Sequence, residues 1–271
     1  MRPFWLVAML CAPLMGADQA PSQKAVLARA GAVVARYSHE LPRLVATETL
    51  VQDQVSQPGG SGHIATRRSQ AEFAWVWLAD ELDPIGFRDV VEVDGQAVGP
   101  NRRRLVDLLH GPNDASWAQA RAILQEGARH NLLPGSRNFN LPTVVMFFLL
   151  PERQDRFTWK RQSEANASVW ELTFREKSRP TLIRQSNGQP VFSRGRVWVE
   201  TATGALLRTE LLIKIDDVRY ALTTRFERID ALGLVLPVRL EERYSTPEQI
   251  ITGTATYSNY RRFETGARLI R

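Results

Sequence analysis

The sequence of 271 residues is poor in cysteine, in histidine motifs and in long apolar runs. Cys11 is its only cysteine, which excludes a disulfide framework and a zinc site built from thiolates. Its four histidines include no HExxH motif and no pair at i and i+4, so neither a metal nor another cofactor is expected. Beyond the N-terminal segment no stretch reaches eighteen apolar residues, and no permanent membrane span is expected.

The positive charge of the chain comes almost entirely from arginine. Lysine and arginine number 35 against 29 acidic residues, a formal net charge of +6, and only four of the 35 are lysines. An excess of this sign suits anionic lipid or nucleic acid. However, the arginines are scattered and mostly interleaved with acids, with small clusters at 67–68, 102–104 and 261–262. We therefore interpret most of them as solvated surface and expect no nucleic-acid partner.

The first residues have the layout of a secretory signal. Arg2 precedes an apolar run over 4–12, which is followed by Pro13 and the small residues Gly16 and Ala17. This predicts a signal peptide over 1–17, with cleavage between 17 and 20, and export to the periplasm. Lipid anchoring through Cys11 is disfavoured, because Leu10 fills a position where a small residue is needed.

The rest of the chain combines one N-terminal helix with many strands. Residues 22–41 place apolar side chains at three- and four-residue spacing, with Ser22 as a cap and Pro42 as a stop. Alternating runs predict strands over 46–55, 63–78, 87–93, 157–161, 169–175, 196–200, 207–214, 218–226, 234–244 and 250–263. Asp94-Gly95 predicts a hairpin turn. The segment between 101 and 151 is predicted to be helical.

This order of elements predicts the α+β class, with a single domain over 18–271. We expect a large curved antiparallel sheet that forms an open half-barrel. The N-terminal helix and the helical insertion over about 101–151 are expected to cover its concave face.

Several motifs that suggest chemistry have simpler explanations. The run Gly59-Gly60-Ser61-Gly62-His63 lacks the Gly-Lys-Ser/Thr ending of a phosphate loop and the final glycine of a nucleophile elbow, so a hairpin tip is favoured. Asp89, Glu92 and Asp94 do not follow a calcium-loop pattern, and we favour a structural role for them. Arg88 is a candidate member of a buried charge pair. No catalytic residues are predicted.

The apolar run over 143–150 is the strongest candidate for a functional segment. A helix that is apolar on all sides is either ordinary core or faces an apolar ligand. In the second interpretation it is a lid across the half-barrel, formed by Met146, Phe147 and Phe148. The wall of the cavity would then be Trp75, Trp77, Trp170, Leu172, Phe174, Leu211, Tyr220, Leu222 and Phe226.

Four segments carry a resemblance to a known family. They are Phe87-Arg88-Asp89-Val90 with Glu92-Val93-Asp94-Gly95, Arg179-Pro180-Thr181-Leu182-Ile183-Arg184, Arg208-Thr209-Glu210-Leu211 and the final strand over 253–263. Together with the element order, they resemble a group of uncharacterised exported bacterial proteins. In architecture, this group resembles the lipoprotein-carrier superfamily that includes LolA, LolB and RseB. No motif residue for lipoprotein transfer carries over, and the insertion over 101–151 departs from the small carriers.

The resemblance and the apolar segment together imply a non-catalytic periplasmic protein that binds a lipid or a lipoprotein acyl chain. The alternative is an envelope sensor or adaptor with a filled core, which binds a protein partner through its sheet edges or an arginine patch such as 102–104. An unrecognised hydrolase would need a nucleophile and base, and the sequence shows no such pair.

Overall fold

The computed structural model describes residues 21–57, 62–76, 84–98, 125, 127, 129–132, 141–162, 168–185 and 187–262. The predicted signal peptide, Trp77, residues 102–104 and most of the insertion lie outside the described residues.

A single long helix opens the described part of the chain. Helix α1 spans Gln23–Glu40, and the Ser22 hydroxyl accepts a hydrogen bond from the Ala25 amide at 3.2 Å. A side-chain oxygen at this position satisfies one of the free amides of the first turn. Pro42 lies in the short 3-10 helix Leu41–Arg43, where α1 has ended. The predicted helix over 22–41 is confirmed.

The strands form one large antiparallel sheet and one small hairpin within the described residues. Their bounds are β1 Leu44–Ser56, β2 His63–Val76, β3 Ile85–Val93, β4 Gln96–Ala97, β5 Phe157–Arg161, β6 Val169–Glu176, β7 Ile183–Arg184, β8 Pro190–Val191, β9 Arg194–Glu200, β10 Leu206–Ile215, β11 Val218–Ile229, β12 Leu234–Ser245 and β13 Gln249–Arg262. The large sheet has the order β4-β3-β2-β1-β13-β12-β11-β10-β9-β6-β5, and β7 pairs with β8. Its two ends, β4 and β5, do not pair with each other, so the sheet stays open, as predicted.

One face of this sheet is buried, and we call it the inner face. Helix α1 and residues 141–150 cover it, and their apolar side chains form a single core with those of the sheet. The opposite, outer face carries the alternate residues of each strand. In β10, Leu211 and Ile213 are buried while Leu212 and Lys214 are exposed.

At the start of β10, the predicted alternation of buried and exposed residues is wrong by one position. Leu207 was expected on the same face as Leu211, but it is 38% exposed and Leu206 is buried instead. The register with β9 shifts between Leu206 and Arg208. Such an irregularity inserts a residue and reverses the alternation on one side of it.

The apolar run over 143–150 is buried but is not an α-helix. Residues 142–145 form turns, and a 3-10 helix covers only Met146–Leu149. Pro142 and Pro151 limit the run to eight residues between them, and a helix this short is costly to nucleate. The β-branched Thr143, Val144 and Val145 also lower its helix propensity.

Candidate functional site

The structure brings together nearly all of the predicted ligand-contacting residues. Ten of the twelve lie in one buried cluster on the inner face, each at most 4% exposed: Met146, Phe147, Phe148, Trp75, Trp170, Leu172, Phe174, Leu211, Leu222 and Phe226. Tyr220 is half-buried at the margin of this cluster, and Trp77 lies outside the described residues. The inner face therefore holds a continuous apolar surface that the 141–150 segment and α1 occupy.

An aromatic group fixes the middle of the 141–150 segment. The ring of Phe148 stacks on Phe157 with centroids 4.9 Å apart and meets Phe174 edge-on at 5.7 Å. Trp159 packs against both Phe157 and Phe174 at 5.6 Å. Sequence reasoning missed Phe157 as a site residue, although it opens a predicted strand and lies six residues after Pro151.

A hydrogen bond attaches the beginning of the segment to the sheet. The indole N–H of Trp75 donates to the Thr143 hydroxyl at 3.0 Å, and both residues are fully buried. The ring of Trp75 also meets Phe73 edge-on at 4.7 Å. Indole N–H groups in a core almost always have such a partner, because an unsatisfied donor is costly there.

The far end of the segment is joined to α1. The side-chain amide of Gln154 donates to the carbonyl oxygens of Leu27, at 2.9 Å, and Leu149, at 2.7 Å. Gly31 of α1 permits this approach, since a Cβ there would lie 2.8 Å from the Leu149 oxygen. Helix α1 and the 141–150 segment therefore form one covering layer.

A buried ion pair lies beside this layer. The Arg88 Nε donates to both carboxylate oxygens of Glu48, at 2.8 and 3.0 Å, and its guanidinium lies 4.9 Å from the centre of the Phe73 ring. Arg88 thus belongs to a buried charge pair, as the sequence suggested, with a partner two strands away.

Burial raises the pKa of Tyr260 well above its ordinary value, and the charge of Glu48 raises it further.

A second polar cluster lies between the sheet and the insertion. The buried Glu242 carboxylate accepts hydrogen bonds from the Gln52 amide at 2.8 Å and from the Tyr244 hydroxyl at 2.6 Å. Gln52 in turn accepts from the backbone amide of Leu132 at 3.1 Å. Gly253 makes room for the carboxylate, because a Cβ there would lie 2.5 Å from it. These contacts attach the insertion to the inner face at Leu132.

The motifs considered for catalysis have structural positions. His63 begins β2, which pairs antiparallel with β1 opposite Val55. Gly59, Gly60 and Ser61 of the glycine run lie outside the described residues. The His63 imidazole contacts the Thr66 hydroxyl at 2.8 Å, and that hydroxyl donates to Asp53 at 2.5 Å. The hydroxyl proton is therefore directed at a carboxylate and not at the imidazole. Within the described residues, no three His, Cys, Asp or Glu side chains are placed to hold a metal ion.

Comparisons with known proteins find similarity to several solved structures. No protein-family model and no curated protein matches the chain. Among the described residues, no helix combines the length and apolar character needed to cross a membrane. A domain from Vibrio parahaemolyticus, whose name assigns it to outer membrane lipoprotein sorting, is 10% identical with a TM-score of 0.38, over 88% of this chain and 94% of that one. A LolA superfamily protein from Nitrosomonas europaea is 11% identical with a TM-score of 0.34, over 90% of this chain and 95% of that one.

Proposed function

We propose that this protein is an exported, non-catalytic carrier that binds an apolar ligand, such as a lipid or a lipoprotein acyl chain, on the inner face of its sheet. In the unliganded protein the 141–150 segment occupies the site. The ligand displaces Met146, Phe147 and Phe148 from the sheet and contacts the apolar wall beneath them. The observation that carries this proposal is an almost wholly buried apolar segment lying on an open sheet without belonging to any of its strands.

The bonding of the segment makes such displacement physically reasonable. Its backbone forms bonds within itself, from Val144 to Leu141 at 3.2 Å, from Phe148 to Val145 at 3.1 Å and from Leu150 to Phe147 at 3.3 Å. A segment that moves as a unit keeps these bonds. An acyl chain can replace its apolar contacts with the sheet, because the hydrophobic effect is non-directional.

Native mass spectrometry with lipid extraction, on protein purified from periplasm, tests the proposal first. A co-purifying lipid or acylated species of defined mass is expected. An unliganded mass that does not change after incubation with phospholipid or lipopeptide would contradict the proposal.

Tryptophan quenching tests the position of the ligand. Trp170 lies on the inner face, whereas Trp198 lies on the outer face beside Arg196 and Arg208. A brominated fatty acid should quench the inner tryptophans by contact. Trp170→Phe should therefore reduce the amount of tryptophan fluorescence that the brominated fatty acid quenches. The matched control Trp198→Phe should leave that amount unchanged. The reverse pattern would place the ligand on the outer face.

A second candidate function is an envelope sensor or adaptor that acts through a protein partner. It is favoured by the continuity of the core, in which Phe148, Phe174 and Leu211 are each at most 3% exposed. Such a protein needs no ligand. An unchanged unliganded mass, together with unquenched Trp170, is the result expected for it.

A further inference from the structure

The outer face of the sheet carries a cleft of about 640 Å³ beside the β10–β11 turn. Its apolar lining includes Phe192 and Leu212, which are 44% and 40% exposed, and Ala221. Its charged lining includes Arg175, Arg194, Lys214, Arg219 and Arg243. We call it the arginine cleft. Exposed apolar side chains among several cations suit a ligand with an anionic and an apolar part.

Strand register explains how distant arginines meet at this cleft. Arg175 pairs with Arg194, Arg194 with Leu212, Leu212 with Ala221, and Ala221 with Arg243. Directly paired residues project from the same face of a sheet. At about 4.8 Å per strand, Arg194 and Arg243 lie roughly 14 Å apart across an apolar floor. In the next row, Lys214 pairs with Arg219.

The arginines of this cleft differ from others on the same face in having no acidic partner. Among the residues that the structure describes, the guanidinium groups of Arg175, Arg194, Arg219 and Arg243 form no hydrogen bond or ion pair. In contrast, Arg196 and Arg208 both pair with Glu210, and Arg239 pairs with Glu241 at 2.8 Å.

The acidic groups that line the cleft or the one adjoining it are Glu176 and Asp217, and neither pairs with an arginine of the cleft. Glu176 is 3% exposed, and its oxygens accept hydrogen bonds from the Leu182 amide and from the amide and hydroxyl of Ser193. Asp217 lines an adjoining cleft of about 530 Å³, is 88% exposed and lies 3.9 Å from Lys214. The positive charge is therefore concentrated and available to an anion.

We propose that the arginine cleft binds the phosphate of an anionic lipid head group and so holds the protein on an anionic membrane surface. Guanidinium groups are suited to phosphate, because their planar N–H donors bind it in pairs. Phe192 and Leu212 contact the apolar part of the lipid next to its phosphate. The site is on the opposite face from the 141–150 segment, so this proposal goes beyond the carrier function and does not depend on it.

Co-sedimentation with phosphatidylcholine vesicles, with and without phosphatidylglycerol, tests the proposal. Binding should require phosphatidylglycerol and weaken as salt is raised, because salt screens exposed charges. Arg194→Gln with Arg243→Gln should lower the partition coefficient by about tenfold or more. The matched control is Lys24→Gln with Arg43→Gln, which removes the same charge from two exposed residues at α1 and the 3-10 helix after it, outside the cleft, and should change binding less than about twofold because charges far from the membrane are screened.

Further arms distinguish the alternatives. Equal losses for the two double variants would overturn a specific site, since net charge alone would then explain binding. Calorimetric titration with glycerol phosphate tests for a soluble ligand. Binding of glycerol phosphate without any binding to vesicles would overturn the lipid proposal in favour of a soluble phosphate compound. Phe192→Ala should weaken vesicle binding without changing charge, and unchanged binding would contradict the apolar contact. Loading of an acyl probe should be unaffected in all of these variants, which separates this test from that of the carrier function.

Discussion

Substitution of Thr143 by valine should make the proposed inner site easier to open. Valine keeps the shape of threonine but removes the hydroxyl that accepts the Trp75 indole N–H at 3.0 Å. A buried donor left without a partner costs about 1–3 kcal/mol. Because both side chains are fully buried, the free energy of unfolding should fall by this amount.

The same change should raise ligand affinity if the 141–150 segment leaves the sheet when ligand binds. The lost hydrogen bond then destabilises only the unliganded, closed state. A difference of about 1–3 kcal/mol corresponds to about 5–150-fold in the apparent Kd. Fluorescence titration with a dansyl-labelled fatty acid measures this affinity, and urea denaturation measures stability on the same preparations.

Thr181→Val is the matched control for this experiment. Thr181 is also buried, donates to the Ile183 carbonyl at 2.6 Å and accepts from the Val191 amide at 3.1 Å. These contacts join Thr181 to the β7–β8 hairpin and involve no residue of the 141–150 segment. Thr181→Val should therefore lower stability and leave the apparent Kd unchanged. The displacement mechanism is refuted if Thr143→Val loses stability without a gain in affinity, or if both variants gain affinity equally.

Three further predictions concern stability. Glu48→Gln removes the carboxylate charge that pairs with the buried Arg88. Breaking a buried ion pair on one side costs about 3–5 kcal/mol, and the free energy of unfolding in urea denaturation should fall by that order. A loss below about 1 kcal/mol would contradict a tight pair. Gly188→Ala should lower the free energy of unfolding by about 1–2 kcal/mol, because the φ of Gly188 is +80° although a Cβ there would contact nothing. Gly204→Ala should lower it by more, because its φ is +78° and a Cβ would also lie 2.5 Å from the backbone of α1. Because the pKa of Tyr260 is raised, its contribution to stability is complete below about pH 10 and is lost as the pH rises above it. The wild type should thus lose more stability than Tyr260→Phe in alkaline urea titrations, and parallel curves would contradict this.

The strands and the main helix were predictable because their signals are local. Ser22 and Pro42 marked the ends of α1 within one or two residues. Alternation in β6 put Trp170, Leu172 and Phe174 on one face, and all three are buried. Such patterns depend only on the geometry of a single helix or strand. The predicted inner wall was recovered for the same reason.

Features that depend on two distant segments were not predictable. The position of Leu207 depends on a register shift against β9. The partner of Arg88 is on β1, and only the strand order brings Glu48 to it. The helical prediction for 143–150 failed for a local reason instead, because the eight residues that Pro142 and Pro151 leave between them are too few for a stable α-helix.

The arginine cleft illustrates the same limit for charge. In the sequence, the arginines alternate with acids and therefore appear neutralised. In the folded sheet, two arginines pair with Glu210, whereas none of the described acidic side chains pairs with Arg194 or Arg243. Local charge balance in a strand thus says little about charge balance on a sheet, because neighbours on a face come from different strands.

The alternation of β10 also makes the two proposed sites separable by experiment. Leu211 packs in the apolar core at 1% exposure, while its neighbours Leu212 and Lys214 line the arginine cleft. Substitutions that share no partner usually contribute additively to free energy. Thr143→Val should therefore change acyl-probe affinity equally in the wild type and in the Arg194→Gln, Arg243→Gln background, since Thr143 contacts the inner face and the two arginines project from the outer one. A dependence of one effect on the other would mean that the sheet itself changes shape when ligand binds, with its two faces acting as one site.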